Sequence, residues 1–203
     1  MGQHVTDKSC ECVAAAREQV EEVAFASRNV FENEPDGRLA ERRARLADPG
    51  FENARIVSAG SEATETLINM TRQLAVVRGQ GTRWTVPSPN PSYHGTSLGA
   101  VAVTGAPDSE AICPPVRRIM PKALRSLSYR VPEYVTDSYA DHGANVLEQL
   151  TLDEGKESIP SLILEPVGGL ATGGLVGTAG FYKALRDICD RNGFPLYVRR
   201  ADA

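Results

Sequence analysis

The stretch Arg55–Gln73, RIVSAGSEATETLINMTRQ, decides how this chain reads. Arg55 to Ser58 is a short β-prone run that ends at Ala59 and Gly60. Ser61 then opens a pattern in which Ala63, Leu67, Met70, Leu74 and Val77 recur at helical spacing, which predicts one helix with one buried stripe. Ser61 suits the N-cap, Glu62 and Glu65 suit the first turns, and Arg72 and Arg78 suit the far end, by the sign of the helix dipole. A strand that turns through Gly-Ser into a helix offers free backbone N–H groups and a hydroxyl, a chemistry that suits phosphate. Most such junctions in α/β proteins only cap a helix, so the neighbouring segments must decide.

Toward the N-terminus, residues 10 to 28 read as a helix with Val13, Arg17, Val20 and Ala24 roughly aligned. Asn33 to Gly37 (NEPDG) reads as a turn, and Arg38 to Ala47 as a charged, solvated helix closed by Asp48-Pro-Gly. Toward the C-terminus, Arg83 to Val86 reads as a strand stopped by the proline-rich PSPNPS, and Ala100 to Thr104 as a third strand. Residues 105 to 139 carry prolines and aromatics with little periodicity and read as a long irregular excursion.

His142 to Leu152 reads as a helix and Ser161 to Glu165 as a buried strand. Gly168 to Gly177, with five glycines, reads as a flexible loop. Thr178 to Asn192 follows as a helix with Phe181, Leu185 and Ile188 inward and Gly193 as its stop. Leu196 to Val198 begins one more strand. Strands alternating with helices predict an α/β fold: a mostly parallel sheet with helices on both faces, in a single domain over residues 1–203 that reads as incomplete.

Composition narrows the function classes. The 203 residues are 41% hydrophobic and 24% charged, ordinary for a soluble globular chain. A net charge of −4 argues against nucleic acid or an anionic membrane as partner. No apolar run is long enough to cross a membrane, and MGQHVTDKSC lacks the apolar core of a secretory signal, so a cytosolic protein is expected. Met1, Gly2 and Thr6 fit the start of a myristoylation signal, a short match that arises often by chance. Cys10, Cys12, Cys113 and Cys189 read as thiols rather than disulfides. A metal site at His4, Cys10 and Cys12 is disfavoured, because a helix turns residues two apart to different faces and no second ligand pair follows.

The glycine run GGLATGG lacks the Lys-Ser/Thr of a P-loop and the G-x-G-x-x-G spacing, and no G-x-S-x-G elbow is present. What discriminates is an ordered set. Ser58–Thr66 (SAGSEATET) with Arg72-Gln73 is followed by Ser92–Thr96 (SYHGT) and Val101–Gly105 (VAVTG). Leu164–Gly168 (LEPVG) and Phe181–Asp190 (FYKALRDICD) come later. In this order the chain resembles the class III (ω-type) aminotransferases of pyridoxal phosphate (PLP) fold type I, from about Gly2 to Val198.

The resemblance implies PLP as cofactor and roles for particular residues. Gly60 and Ser61 would give backbone and hydroxyl donors to the cofactor phosphate. Tyr93 would stack on the pyridine face with His94 beside it, and Glu165 would join the polar floor at the C-terminal end of its strand. Read from the residues alone, Tyr93 also suits an ordinary core position and Glu165 an exposed strand end.

The pattern also breaks. After the segment matching Gly193–Val198 the family carries an Asp-Glu pair, where this chain has Arg199 and Arg200. That Asp normally keeps the pyridine nitrogen protonated, and an arginine would disfavour the proton by like-charge repulsion. The family's Schiff-base lysine lies further on, and Lys8, Lys122, Lys156 and Lys183 do not occupy its motif, so no catalytic residue is assigned.

The expectation is therefore a truncated aminotransferase homologue, without the small C-terminal domain, that is inactive alone. The family's chemistry moves an amino group from an amino acid or amine to a keto acid or aldehyde. The alternative is a non-catalytic remnant or a regulatory partner that binds a full-length homologue, and the partner expected is a second copy or such a homologue.

Overall fold

Leu162, Ile163 and Leu164 form the strand around which the fold is built. All three are buried, and they point alternately to two cores. The computed structural model describes residues 10–27, 30–106, 118, 120–124, 139–169 and 171–199. The chain divides into two compact units, Met1–Val57 and Ser58–Ala203.

The first unit holds α1 (Cys10–Glu22) and α2 (Glu34–Leu46). Helix α1 is shorter than its predicted span, and its apolar residues Val13 and Val20 are exposed rather than packed. Helix α2 starts four residues earlier than predicted, because NEPDG is its first turn and not a separate turn. Asn33 is the N-cap, Pro35 stands where a missing N–H costs nothing, and Glu34 and Asp36 complement the dipole. Arg45 pairs with Glu41 on its exposed face. Arg55 to Ser58, expected as a strand, belongs to no strand in the structure of the described residues.

In the second unit the elements are α3 (Gly60–Val77), β1 (Ser88–Asn90), α4 (Leu98–Val103) and β2 (Lys122–Leu124). They are followed by α5 (Tyr139–Glu154), β3 (Leu162–Leu164), α6 (Ala179–Asn192) and β4 (Leu196–Val198). Strands β1 and β2 pair in parallel with Pro89 opposite Ala123, and β3 and β4 pair in parallel with Ile163 opposite Tyr197. The Ile163 N–H donates to Pro87 C=O at 3.2 Å and joins the two pairs side by side.

Leu162 and Leu164 enter one core with Leu147 of α5 and Phe181, Leu185 and Ile188 of α6. Ile163 enters the other with Val86, Ala102 and Val103, against Leu67 and Ile68 of α3. Helices thus cover both faces of a parallel arrangement, as the alternating pattern predicts.

Helix α6 matches its reading closely. The Thr178 hydroxyl accepts from Phe181 N–H at 3.2 Å, and Gly193 ends the helix at φ 67°, a left-handed position suited to glycine. The glycine loop before it, expected as flexible, closes on itself: Gly168 N–H donates to Leu175 C=O and Gly174 N–H to Gly168 C=O.

Three further expectations are corrected. Ala100 to Val103 lies in α4 with Thr104 as its C-cap, rather than in a strand, and periodicity cannot separate these states in so short an apolar run. The strand expected at Arg83 to Val86 lies instead at Ser88–Asn90, inside the proline-rich segment, where Ser88 N–H and Pro87 C=O still pair. The buried face of α3 carries Thr64, Thr71 and Ala75, whereas Met70, Leu74 and Val77 are exposed. The threonines bury there because their hydroxyls are satisfied: Thr64 Oγ1 donates to His94 C=O at 2.8 Å and Thr71 Oγ1 to Tyr197 Oη at 3.0 Å. Of the excursion at 105–139, most lies outside the described residues, but strand β2 falls within it.

Cys10 and Cys12 are exposed and Cys189 is fully buried; Cys113 lies outside the described residues. Burial pushes the Cys189 thiol up to about 12, with Arg186 pulling it down and Asp190 pushing it further up. Cys189 is therefore expected to resist a thiol reagent in the native chain and react only after denaturation, while Cys10 and Cys12 label at once. Peptide mapping of the labelled sites checks this. Unfolding returns the thiol to its ordinary value of 9.0, so its contribution to stability is full below pH 9.0 and is lost as pH rises toward 12.

Candidate functional site

The first turn of α3, the loop between β1 and α4, and the residues just after β3 and β4 converge on one place. Ala59 is the N-cap of α3 in extended conformation, so Gly60 and Ser61 lie inside the first turn. Ser61 does not cap the helix as expected. Its hydroxyl instead accepts from Thr96 N–H at 3.0 Å, and Glu62 takes over the terminus by accepting from Ser58 N–H at 2.7 Å. The leading amides of α3 have no carbonyl of a preceding turn to bond.

Gly95 presses the loop against this turn. Its φ is +131°, and a Cβ built there would stand 2.5 Å from Ser61 Oγ and 2.9 Å from Ala100 Cβ. The approach is fixed from behind by threonines. His94 N–H donates to Thr104 Oγ1 at 2.9 Å, and Thr104 Oγ1 lies within bonding distance of the carbonyls of Gly95 and Ala100. Helices α3 and α4 are also stapled by Gly99 N–H donating to Glu65 Oε1 at 2.7 Å.

Tyr93 is half-buried, and its backbone N–H donates to Glu165 Oε2 at 3.1 Å. Glu165 follows β3 directly and is 2% exposed, so it is a buried acid and not a solvated strand end. His94 is fully buried.

Arg199 completes the group. Its own N–H donates to Leu164 C=O at 2.8 Å, continuing the β3–β4 pairing and aiming the side chain into the cluster. The guanidinium Nη1 donates to Tyr93 C=O at 2.6 Å and stands 3.7 Å from Glu165 Oε1. Its Cζ is 5.6 Å from the centre of the Tyr93 ring, and Nη2 is 3.3 Å from where a Gly60 Cβ would stand. One side chain thus spans from Tyr93 to Gly60.

The structure brings together Gly60, Ser61, Tyr93 and Glu165, with His94 behind them. Sequence reasoning missed Gly95 and Thr96 as parts of the site. Their signal was the run SYHGT, where a glycine and a threonine follow Tyr93 and His94.

The lysines stand in other surroundings: Lys122 Nζ donates to Ser88 Oγ and Ala102 C=O, and Lys183 pairs with Asp187 on the outer face of α6. Lys156 is exposed after α5, and Lys8 lies outside the described residues.

The chemistry of this donor set can be tested against PLP. A phosphate needs N–H and O–H donors, which the leading amides of α3 and the Ser61 hydroxyl supply, with Thr96 N–H holding that hydroxyl in place. A protonated pyridine nitrogen needs an acceptor, and a guanidinium presents only donors and a full positive charge. The residues fit the phosphate end and do not fit a protonated ring.

The family model for aminotransferase class III matches residues 7–198. An uncharacterised aminotransferase of Schizosaccharomyces pombe is 28% identical over 194 residues, covering 93% of this chain and 42% of its own length. Among solved structures, an (S)-enantioselective ω-transaminase from Thermomicrobium roseum superposes with a TM-score of 0.84 at 30% identity. It covers 93% of this chain and 42% of its own. A PLP-bound amine transaminase from an uncultivated Pseudomonas species superposes at 0.83 with 27% identity, over 95% of this chain and 44% of its own. The chain thus spans well under half the length of these relatives. Match and fold agree: it belongs to the class III aminotransferases, a family that uses pyridoxal phosphate.

Proposed function

We propose that this chain is the part of a class III aminotransferase large domain that grips the cofactor phosphate, and that by itself it does not transfer amino groups. The observation that carries the reading is the convergence of Gly60, Ser61, Gly95 and Thr96 at the start of α3. Amides at that terminus bind an anion through direct hydrogen bonds and the helix dipole, and the Ser61 hydroxyl adds a donor. Glu165 holds Tyr93 through its backbone N–H. His94 supports that loop from within.

In the family PLP supplies the electron sink that amino transfer requires, and the ring end of this chain does not fit that ring in its protonated form. Small amino donors and keto acceptors are the substrates of the family's reaction. Pairing with a second copy or with a longer homologue belongs to the same proposal and is read by light scattering and co-purification. So does a cytosolic location, read by fractionation; among the described residues no helix is long and apolar enough to cross a membrane.

The test has two arms. Inorganic phosphate is expected to raise the melting temperature of the purified chain, and Ser61→Glu is expected to abolish that rise, because its carboxylate would take the anion's place. Incubation with PLP, an amine donor and pyruvate is expected to give no turnover beyond PLP alone in solution. A phosphate effect that survives Ser61→Glu, or enzymic turnover, would overturn the reading.

A further inference from the structure

We propose that Arg199 is a built-in occupant of the ring end of this site, and that it shuts out the protonated pyridine of PLP. This rests on Gly60 and Ser61 being the phosphate end. The argument is one of space, partners and charge. The guanidinium Cζ is 5.6 Å from the Tyr93 ring centre and Nη2 is 3.3 Å from where a Gly60 Cβ would stand, so the group fills space next to both, beside the helix terminus.

Its position is over-determined: the backbone is pinned to Leu164, Nη1 donates to Tyr93 C=O, and the Glu165 carboxylate faces it at 3.7 Å. The side chain is 14% exposed and Glu165 2%, so solvent screens the pair weakly. Withdrawing the guanidinium would break its ion pair with the buried Glu165 carboxylate, which opposes spontaneous opening. A cationic ring entering beside it would meet like charge, and its N–H would find donors where it needs an acceptor.

Arg199 is thus a specificity-determining residue. It leaves the phosphate end open to an anion and disfavours a cationic heterocycle at the ring end.

The experiment is a PLP titration of the native chain, Arg199→Ala and Arg199→Asp, followed by induced near-UV circular dichroism and by equilibrium dialysis. The expected order is native weakest, Arg199→Ala between, and Arg199→Asp tightest by at least about tenfold. Ligand-free melts of each variant establish that it is folded, and Arg199→Ala serves if the acid at 199 unfolds the chain by facing Glu165. Native protein binding PLP as tightly as the folded variants, or no gain in either, overturns the proposal. The rise in melting temperature with inorganic phosphate reads the other premise separately. Its presence without the PLP order defeats only the role of Arg199, and its absence in the native chain defeats the phosphate end itself.

Discussion

Phe181→Ala is expected to cost about 3–5 kcal/mol of unfolding free energy, a large share of the roughly 5–15 kcal/mol that holds such a domain. Phe181 is 1% exposed and is the largest fully buried side chain among the described residues. It sits where α5 meets α6. A Cβ on Gly143 of α5 would stand 2.8 Å from Phe181 Cε2, so the two helices close on the ring itself. Tyr182 meets it edge to face at 5.6 Å, and the Tyr182 hydroxyl ties Gly177 N–H to Pro166 C=O. Removing the ring leaves a cavity that neither helix can collapse into without breaking the Leu162–Leu164 face of the core. Urea unfolding checks it: the midpoint should fall with little change in slope. A loss below about 1 kcal/mol would mean that α6 is not anchored by this ring.

Gly95→Ala is the second large effect, and it joins stability to the site. The added methyl would meet Ser61 Oγ at 2.5 Å and Ala100 Cβ at 2.9 Å, on a backbone at φ +131° that an L side chain rarely adopts. Backbone strain and overpacking together are expected to cost about 2–5 kcal/mol. Gly79→Ala is the control, since Gly79 has φ +70° with nothing within 4 Å of a new Cβ. It should show backbone strain alone, roughly 1–3 kcal/mol. Equal losses at the two glycines would show that Gly95 is not pressed against Ser61. Unequal losses, with the phosphate effect weakened only in Gly95→Ala, would tie the close approach to the anion site.

How much of this was legible in the sequence depended on whether a signal was local. Helix α6 could be read because its start and stop are chemical: Thr178 caps it and Gly193 adopts the conformation glycine favours. Strand β3 could be read because a strand covered by helices on both faces is apolar throughout. The buried face of α3 could not. Periodicity counts apolar residues, yet Thr64 and Thr71 are buried through bonds to His94 and Tyr197, whose positions belong to the tertiary fold. Helix α4 was missed because six apolar residues carry no period, and its stapling by Glu65 comes from another helix.

Within the site, the Gly-Ser helix start was visible as a phosphate chemistry, whereas Tyr93 and Glu165 acquired roles only through the ordered resemblance. Arg199 was legible as a departure from the family. Its reach to Tyr93 and Gly60 was not, because that depends on the register that places β4 beside β3.

The most direct test of the central claim is amide chemical-shift mapping of the isotope-labelled chain titrated with inorganic phosphate. Saturable shifts at Gly60, Ser61, Glu62 and Thr96 are predicted, with the arginine-rich α2 unchanged beyond a salt control. Shifts confined to α2, or no saturable shift at the start of α3, would contradict it.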